Sequence, residues 1–144
     1  MPTAQSILDR KGSAVATVAR SATVLEAAKL MNHRRIGALV VTEGERAVGI
    51  FTERDILCRL VAEGRNAAST PVEKVMTSPM ACCRRDTKLS DCRAIMTSKR
   101  VRHLPVVEEG KLFGLISSGD ILASEVVEQQ IAIEYLHDYL HGRV

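Results

Sequence analysis

Two copies of one heptapeptide organise the chain: Gly49-Ile50-Phe51-Thr52-Glu53-Arg54-Asp55 and, 65 residues later, Gly114-Leu115-Ile116-Ser117-Ser118-Gly119-Asp120. Each copy has a glycine, two apolar residues, a hydroxyl residue, two variable residues and an aspartate. Each follows a short apolar run and leads into a helical pattern, which predicts a strand that ends where a helix begins. Such a junction presents backbone N–H groups and the positive end of a helix dipole, and these suit an anionic ligand.

The self-similarity extends well beyond the heptapeptide. Residues 15–57 align with 80–122 without a gap and give 11 identities in 43 positions. Many other pairs are conservative, such as Val24 with Leu89 and Thr52 with Ser117. Self-similarity at one fixed offset indicates a repeated structural unit. Most of the chain is therefore two copies of one unit.

Hydrophobic periodicity predicts the order strand, helix, strand, strand, helix in each copy. A capping box, Thr23 with Glu26, begins the first helix, and Ile56, Leu57, Leu60 and Val61 form an apolar face on the next. A short helix over 3–12 precedes the repeats, and a helical turn over 71–77 follows the linker-like segment 64–71. The predicted strands are 15–18, 38–41 and 47–51 in the first copy and 80–83, 103–107 and 112–116 in the second. The later helices are predicted over 53–63, 89–99 and 120–141.

The composition is that of an ordinary globular protein, with 46% hydrophobic and 26% charged residues. No apolar run approaches the roughly 18 to 20 residues that span a bilayer. The amino terminus lacks the pattern of a secretory signal, so the expected location is the cytoplasm. A net charge of +3 with four aromatic residues does not favour nucleic acid as a partner.

The four cysteines, Cys58, Cys82, Cys83 and Cys92, show no metal-binding spacing. Cys58 and Cys92 fall on apolar faces of predicted helices, which favours reduced, structural thiols. His137 and His141 stand four residues apart, but no carboxylate or thiol completes a metal motif there. We therefore expect no metal.

The combination of motifs resembles the CBS domain, named for cystathionine β-synthase. The features that carry the resemblance are the order of elements, the two Gly-x-x-Thr/Ser-x-x-Asp junctions, the strand Arg100 to Val107 (Arg-Val-Arg-His-Leu-Pro-Val-Val) and the linker Val75-Met76-Thr77. The resemblance covers about residues 5–125, and two such domains in tandem form a Bateman module. The chain is especially similar to small stand-alone bacterial proteins with one CBS pair and a terminal helix.

The resemblance implies an α+β fold in which two β-α-β-β-α repeats pack about a pseudo-twofold axis. The expected divisions are 1–70 for the amino-terminal segment and first repeat, 71–125 for the second repeat and 126–144 for a carboxy-terminal helix extension. The family's paired domains leave two clefts that bind AMP, ADP, ATP, NAD or S-adenosylmethionine, and modules commonly pair as disc-shaped homodimers. The long apolar stripe of the terminal helix is expected to pack on a partner chain, either in the dimer or in a client protein.

The resemblance also implies which residues contact the nucleotide. The junction aspartates suit the ribose hydroxyls, as acidic residues do in dinucleotide-binding folds, and arginine offers a bidentate fork to phosphate. The opening strand of each repeat supplies backbone groups that read adenine. The predicted nucleotide-binding residues are Thr52, Arg54, Asp55, Ser117, Asp120, Arg34, Arg35, Arg102, His103, Thr17, Val18, Cys82, Cys83 and Lys11.

A helix cap is the alternative interpretation of the junctions, because Thr52-x-x-Asp55 and Ser117-x-x-Asp120 have capping-box spacing. A cap accounts for the hydroxyl and the carboxylate but leaves the preceding glycine and its recurrence unexplained. The two copies also differ: Arg102 and His103 align with Gly37 and Ala38. We therefore expect unequal clefts, with the phosphate-rich ligand in the cleft that holds Arg102 and His103.

Three functions remain open from the sequence. The first is a non-enzymatic sensor of an adenine nucleotide, AMP, ADP, ATP or NAD(H), that signals through the packing of the repeats or the assembly of a dimer. The second is a structural dimerisation module with empty clefts. The third is a nucleotide-processing enzyme, which the sequence does not favour because it contains no P-loop, no Gly-x-Ser-x-Gly and no metal motif.

Overall fold

The structure is a computed structural model that describes residues 1–142. Within these residues one mixed sheet has the strand order β1-β2-β3-β5-β4. The strands are β1 (Thr17–Ala19), β2 (Ala38–Glu43), β3 (Arg46–Thr52), β4 (His103–Glu108) and β5 (Lys111–Ser117). The helices are α1 (Ala4–Lys11), α2 (Val24–Arg34), α3 (Glu53–Asp55), α4 (Leu89–Lys99) and α5 (Ser118–Leu140). A π-helical segment (Ile56–Val61) continues α3, and a 3-10 turn (Val72–Lys74) lies in the linker.

The two repeats form matching antiparallel hairpins. Strand β2 pairs with β3 and β4 with β5, and both ladders shift register at aligned positions, after Val41 and after Val106. The two hairpins meet through one pair, Arg46 opposite Lys111. The predicted α+β fold of two repeats with a long terminal helix is confirmed.

Local sequence signals account for the ends of the paired helices. The Thr23 hydroxyl accepts a hydrogen bond from the Glu26 amide at 3.1 Å, and the Glu26 carboxylate accepts one from the Thr23 amide at 3.3 Å. This predicted capping box begins α2. At their other ends, α2 and α4 stop at aligned arginines in the left-handed conformation, Arg35 with φ 54° and Arg100 with φ 55°.

The segment that precedes each repeat packs into the core of the other repeat. Ile7 and Leu8 of α1, which precede the first repeat, are buried against the second-repeat residues Leu104 and Ile116. The linker before the second repeat contributes its buried valines, Val72 and Val75, to the core of the first repeat. This exchange of leading segments is invisible in the periodicity, because it depends on contacts between segments and not on the pattern within any one of them.

The exchange explains the glycine of each junction motif. A Cβ on Gly114 would lie 2.5 Å from Leu8 Cδ2, and one on Gly49 would lie 2.7 Å from Met76 Sδ and 2.9 Å from the Thr77 carbonyl oxygen. All three distances are shorter than normal contacts of a Cβ atom. The packing of the leading segments therefore favours glycine at both positions, and the recurrence of the glycine is not in itself a sign of a ligand.

The predicted opening strand 80–83 of the second repeat is wrong. Only Cys83 forms a bridge, with Val106, whereas in the first repeat Thr17–Ala19 pairs with residues 40–42. In the first repeat the Val40 amide donates to the Ala16 carbonyl at 3.2 Å. Pro105 occupies the aligned position and has no N–H to donate, so the ladder in the second repeat is shorter.

Two details of the helix after β3 also differ from prediction. It continues α3 with π-helical turns over Ile56–Val61, and it ends before the predicted residue 63. On it Leu60 is buried, but Leu57, Val61 and Cys58 are exposed. The predicted apolar face is therefore only half used by the core, and Cys58 is not a core thiol.

The structure adds one fact about the long helix α5. No helix of residues 1–142, α5 included, combines the length and the apolar character needed to cross a membrane.

A substitution at Gly114 tests the exchange of segments. We expect Gly114→Ala to lower the free energy of unfolding by about 1–3 kcal/mol, because the new methyl group overpacks the space that Leu8 fills. Leu8→Ala alone should cost about 2–5 kcal/mol. In the double variant the methyl enters the vacated space, so urea unfolding should show a loss smaller than the sum.

Gly119→Ala is the matched control, because its Cβ would meet nothing nearer than Ser117 Oγ at 3.6 Å. Replacement of this helical glycine by alanine should raise the free energy of unfolding by about 0.5–1 kcal/mol. Strictly additive losses for Gly114→Ala and Leu8→Ala would contradict the proposed contact.

Candidate functional site

Both junction motifs form helix caps. The Thr52 amide donates to Asp55 Oδ2 at 2.9 Å, and the Ser117 amide donates to Asp120 Oδ2 at 2.8 Å. The Ser117 hydroxyl also accepts from the Asp120 amide at 3.1 Å. Capping therefore accounts for part of each motif, as the alternative interpretation predicted. What distinguishes the two junctions is the other partners of each aspartate carboxylate.

Asp55 is 5% exposed and its carboxylate is fully engaged. Beside the Thr52 contacts, Oδ1 accepts a hydrogen bond from the Thr77 hydroxyl at 3.1 Å and lies 3.8 Å from Arg59 Nε. Thr77 belongs to the linker that packs on Gly49. Asp55 thus ties the linker to the first repeat, which is a structural role.

Asp120 is more accessible, with 24% of its side chain exposed, and it pairs with Lys11. Lys11 Nζ lies 2.7 Å from Asp120 Oδ2. Burial opposes ionisation of Asp120, but the hydrogen bonds from Lys11 and the Ser117 amide outweigh it and hold the pKa of the carboxyl below its ordinary value. Asp120 is therefore a carboxylate at neutral pH with a side-chain cation as its partner.

A half-open cleft of about 480 Å³ lies beside Lys11 and Ser117, and its walls come from both repeats. That volume is within the range of small-molecule sites, about 300–1,000 Å³. One wall is apolar and is formed by the segment before β1, by the start of β2 and by Leu115 of β5. The polar lining residues are Lys11, Arg34, His103 and Ser117, and the others are Ala14, Val15, Ala16, Ile36, Gly37, Ala38 and Leu115.

His103 lies in this cleft at the start of β4, where it is the cross-strand partner of Ser117. Burial lowers the pKa of His103, and Lys11 and Arg102 lower it further. Asp120 and Glu53 act in the opposite direction without cancelling the effect. The imidazole is therefore neutral at pH 7 and faces charges from both repeats.

Other residues predicted from the sequence lie outside this lining. Arg54 Nη1 donates to the Arg100 carbonyl at 3.4 Å, while Arg35 caps α2. Thr17 and Val18 pair with β2, so the cleft is lined instead by the residues just before them. The remaining predicted residues absent from the lining of this cleft are Thr52, Asp55, Arg102, Asp120, Cys82 and Cys83.

The backbone of Cys83 has no free polar group for a ligand. Its amide donates to the Pro105 carbonyl at 3.0 Å, and its carbonyl accepts from Val107 at 2.9 Å. The thiol is buried, and its pKa is raised by a hydrogen bond with the Cys92 thiol and by burial. Cys83 and Cys92 therefore fit the predicted structural role.

Seven lining residues were missed as site residues: Ala14, Val15, Ala16, Ile36, Gly37, Ala38 and Leu115. They are apolar members of strands or of the turns before them, and nothing in a single residue type marks them. The repeat offered a signal, since Ala38 aligns with His103, and both line the same cleft. A site that lies between the repeats draws aligned positions from each.

The fold and the cleft define a class: a tandem-repeat α+β module with a ligand-sized site between its repeats. The sequence pattern of the CBS domain matches residues 11–62 and 72–126. The chain therefore belongs to the CBS-domain family, as its sequence predicted.

Individual relatives agree with this assignment. The CBS domain-containing protein YhcV of Bacillus subtilis is 34% identical over 121 residues, which are 84% of this chain and 86% of YhcV. The mitochondrial CBSX3 of Arabidopsis thaliana is 34% identical over 125 residues, 83% of this chain, but the match spans only 61% of CBSX3. A solved structure of a protein with CBS domains from Burkholderia ambifaria superposes with a TM-score of 0.84 at 40% identity and covers 89% of this chain and 96% of that one.

The ion pair beside the cleft can be tested without a ligand. Lys11→Met removes the ammonium group and installs the residue found at the aligned position, Met76. We expect the pKa of Asp120, followed by carbon-13 NMR of its carboxyl group, to rise towards the ordinary value of about 3.9. Since the folded pKa is depressed, the pair stabilises the protein above the unfolded pKa, and this contribution is lost as the pH falls through the folded pKa.

Urea unfolding of both proteins should therefore show a stability difference at neutral pH that shrinks in acid. Lys29→Met, an exposed lysine on α2, is the control and should leave Asp120 unchanged. An Asp120 pKa that does not move in Lys11→Met would exclude the pair as its main stabiliser.

Proposed function

We propose that this chain is a regulatory module that binds an adenine nucleotide in the cleft between its repeats and performs no catalysis. The observation that carries the proposal is one arrangement: an accessible ionised aspartate beside an apolar-walled cleft with cationic side chains. CBS pairs are generally regulatory nucleotide-binding modules, which supports the same function. The candidate ligands are AMP, ADP, ATP and NAD.

The Asp120 carboxylate suits the two hydroxyl groups of a ribose. Carboxylate oxygens accept hydrogen bonds from vicinal hydroxyls in dinucleotide-binding folds. The Lys11 ammonium group donates a hydrogen bond to Asp120 Oδ2. A ribose that binds to this oxygen replaces that hydrogen bond with one from a hydroxyl group and displaces the ammonium group. The displaced Lys11 remains in the lining of the cleft, where it is free to pair with a phosphate.

Arg34 and His103 complete a phosphate environment with Lys11. The apolar wall formed by Val15, Ile36 and its neighbours offers a surface on which a planar base can lie. Gly37 places no side chain in the lining. The lining thus offers matching chemistry for base and phosphate, and Asp120, which lies outside the lining but is bonded to Lys11, offers it for the sugar.

A ligand in this cleft touches both repeats, and this provides a route to regulation. Ala14 to Ala38 belong to the first repeat, His103 to Ser117 to the second, and Lys11 to the segment that packs on the second. A ligand that binds one relative arrangement of these parts more tightly shifts the population towards that arrangement. We propose that this shift is the signal, read by a partner chain or by a second copy.

The serine and histidine in the cleft do not suggest hydrolysis. The Ser117 hydroxyl accepts the amide hydrogen of Asp120 as part of the helix cap. Among the hydrogen bonds of residues 1–142, none joins Ser117 to His103, so the serine lacks the adjacent base that activates a nucleophile. Binding is therefore the better-supported role.

Calorimetric titration with AMP, ADP, ATP, NAD and NADH, with GTP as a control, tests the function. We expect one adenine compound to bind and Asp120→Asn to weaken it by about tenfold or more, because hydrogen bonds to a charged group are worth about 1.5–3 kcal/mol. Asp55→Asn is the matched variant in the other repeat. It should lower stability and leave the affinity of the folded protein within about twofold, since Asp55 is buried and fully bonded.

Equal losses in the two variants would point to a global effect rather than to this cleft. No binding by any adenine compound would overturn the proposal and favour a purely structural assembly module.

The neutral His103 makes affinity depend on pH. A bound phosphate raises the pKa of a nearby imidazole, so binding takes up a proton when the pH lies between the free and bound values. We expect affinity to increase as the pH falls from 8 to 6, and His103→Gln to lose this increase. The ionisation of the nucleotide itself affects both proteins equally, so the difference between them reports His103. Parallel pH profiles would show that the phosphate does not lie near this histidine.

A further inference from the structure

Helix α5, whose residues 126–137 are all exposed, carries one apolar row that we call the outward row. The row begins beside the second repeat and continues to the end of the helix, and its members are 55% to 70% exposed. They are Leu122, Val126, Ile133, Leu136 and Leu140. A row of this length in contact with water is unusual for a folded chain without a partner.

The spacing of this row is that of a coiled coil. With Gln129 included, successive members are separated by 4, 3, 4, 3 and 4 residues. In heptad notation Val126, Ile133 and Leu140 occupy a positions, and Leu122, Gln129 and Leu136 occupy d positions. The seam of 19 residues is about 28 Å long at 1.5 Å per residue.

The residue types select both the partner and the direction. Branched residues at a, here Val126 and Ile133, with leucine at d favour two parallel strands. In a parallel pair the two copies of Gln129 meet in one layer, where each amide can bond the other. In an antiparallel pair Gln129 would face an apolar layer and leave its amide unsatisfied, at a cost of about 1–3 kcal/mol.

The flanking positions are compatible with pairing between identical chains. In a parallel pair Glu125 faces Gln130 of the second copy, and Ala132 faces His137. Neither contact brings like charges together. The seam thus fits its own copy without electrostatic repulsion.

The row also continues a surface shared by the two repeats. Leu122 and Val126 align with Leu57 and Val61 on the helical segment after β3, and those two are also exposed, at 64% and 62%. An apolar patch at aligned positions of both repeats is a surface on which a second module can lie, and α5 extends it beyond the globular part. We propose that the outward row of α5 is the seam of a parallel two-stranded coiled coil with α5 of a second copy, which places second repeat beside second repeat.

Site-specific cross-linking in the full chain tests both the partner and the direction. The exposed natural cysteines are first replaced, as Cys58→Ser and Cys82→Ser, and Leu136→Cys is then introduced. Oxidised glutathione is the oxidant, and it converts two thiols to one disulfide while it is itself reduced to two thiols. Equivalent d positions of a parallel pair bring their Cβ atoms close enough for a disulfide, so we expect covalent dimer to form on the order of tenfold faster than in the control.

The control is Tyr135→Cys, one residue away and similarly exposed. Tyr135 lies on another side of the helix, in a second exposed row with Val127, Ile131 and Tyr139. Leu136→Glu should also lower the dimer fraction in sedimentation equilibrium, while Tyr135→Glu should not. Equal cross-linking at 135 and 136 would overturn the assigned seam. Loss of dimer in Leu136→Glu without cross-linking of Leu136→Cys would overturn the parallel direction, and a monomer under all conditions would overturn the proposal. None of these outcomes depends on nucleotide binding.

Discussion

The contact on which the architecture depends is the side chain of Leu8 in the space left by the missing Cβ of Gly114. Its counterpart is the contact of Met76 and Thr77 with Gly49. Through these two contacts, α1 completes the core of the second repeat, and the linker before the second repeat completes the core of the first. The two repeats therefore form one cooperative body, although within residues 1–142 the pairing of their strands joins them at a single residue pair, Arg46 with Lys111.

The same exchange makes the two junctions chemically unequal. Lys11 and Gly12 precede the first repeat at positions aligned with Met76 and Thr77. Thr77 supplies a hydroxyl that engages buried Asp55, whereas Lys11 supplies a cation that pairs with accessible Asp120. A difference of two residues in the leading segments thus turns one aspartate into a structural anchor and leaves the other beside an open cleft.

The sequence predicted most of the fold because the signals were local and occurred twice. The repeat offset, the Thr23–Glu26 capping box and the apolar runs of the hairpin strands are each visible in the sequence, and the last two depend only on residues close together in the chain. The exchange of segments and the lining of the cleft were not predictable in this way, because they depend on contacts between residues such as Lys11 and Asp120, which are 109 positions apart. Pro105 of β4 has no N–H to donate to the predicted strand 80–83, so that strand is shortened. This is also a non-local effect.

The exchange of leading segments also has a consequence for synthesis on the ribosome. Chains emerge with the amino terminus first, and domains generally fold as they appear. The first repeat can close once Val72 and Val75 have emerged, since they complete its core. Helix α1, although made before both repeats, waits for Leu104 and Ile116 before its apolar face is covered. A segment translated ahead of both repeats is therefore among the last to reach its final place.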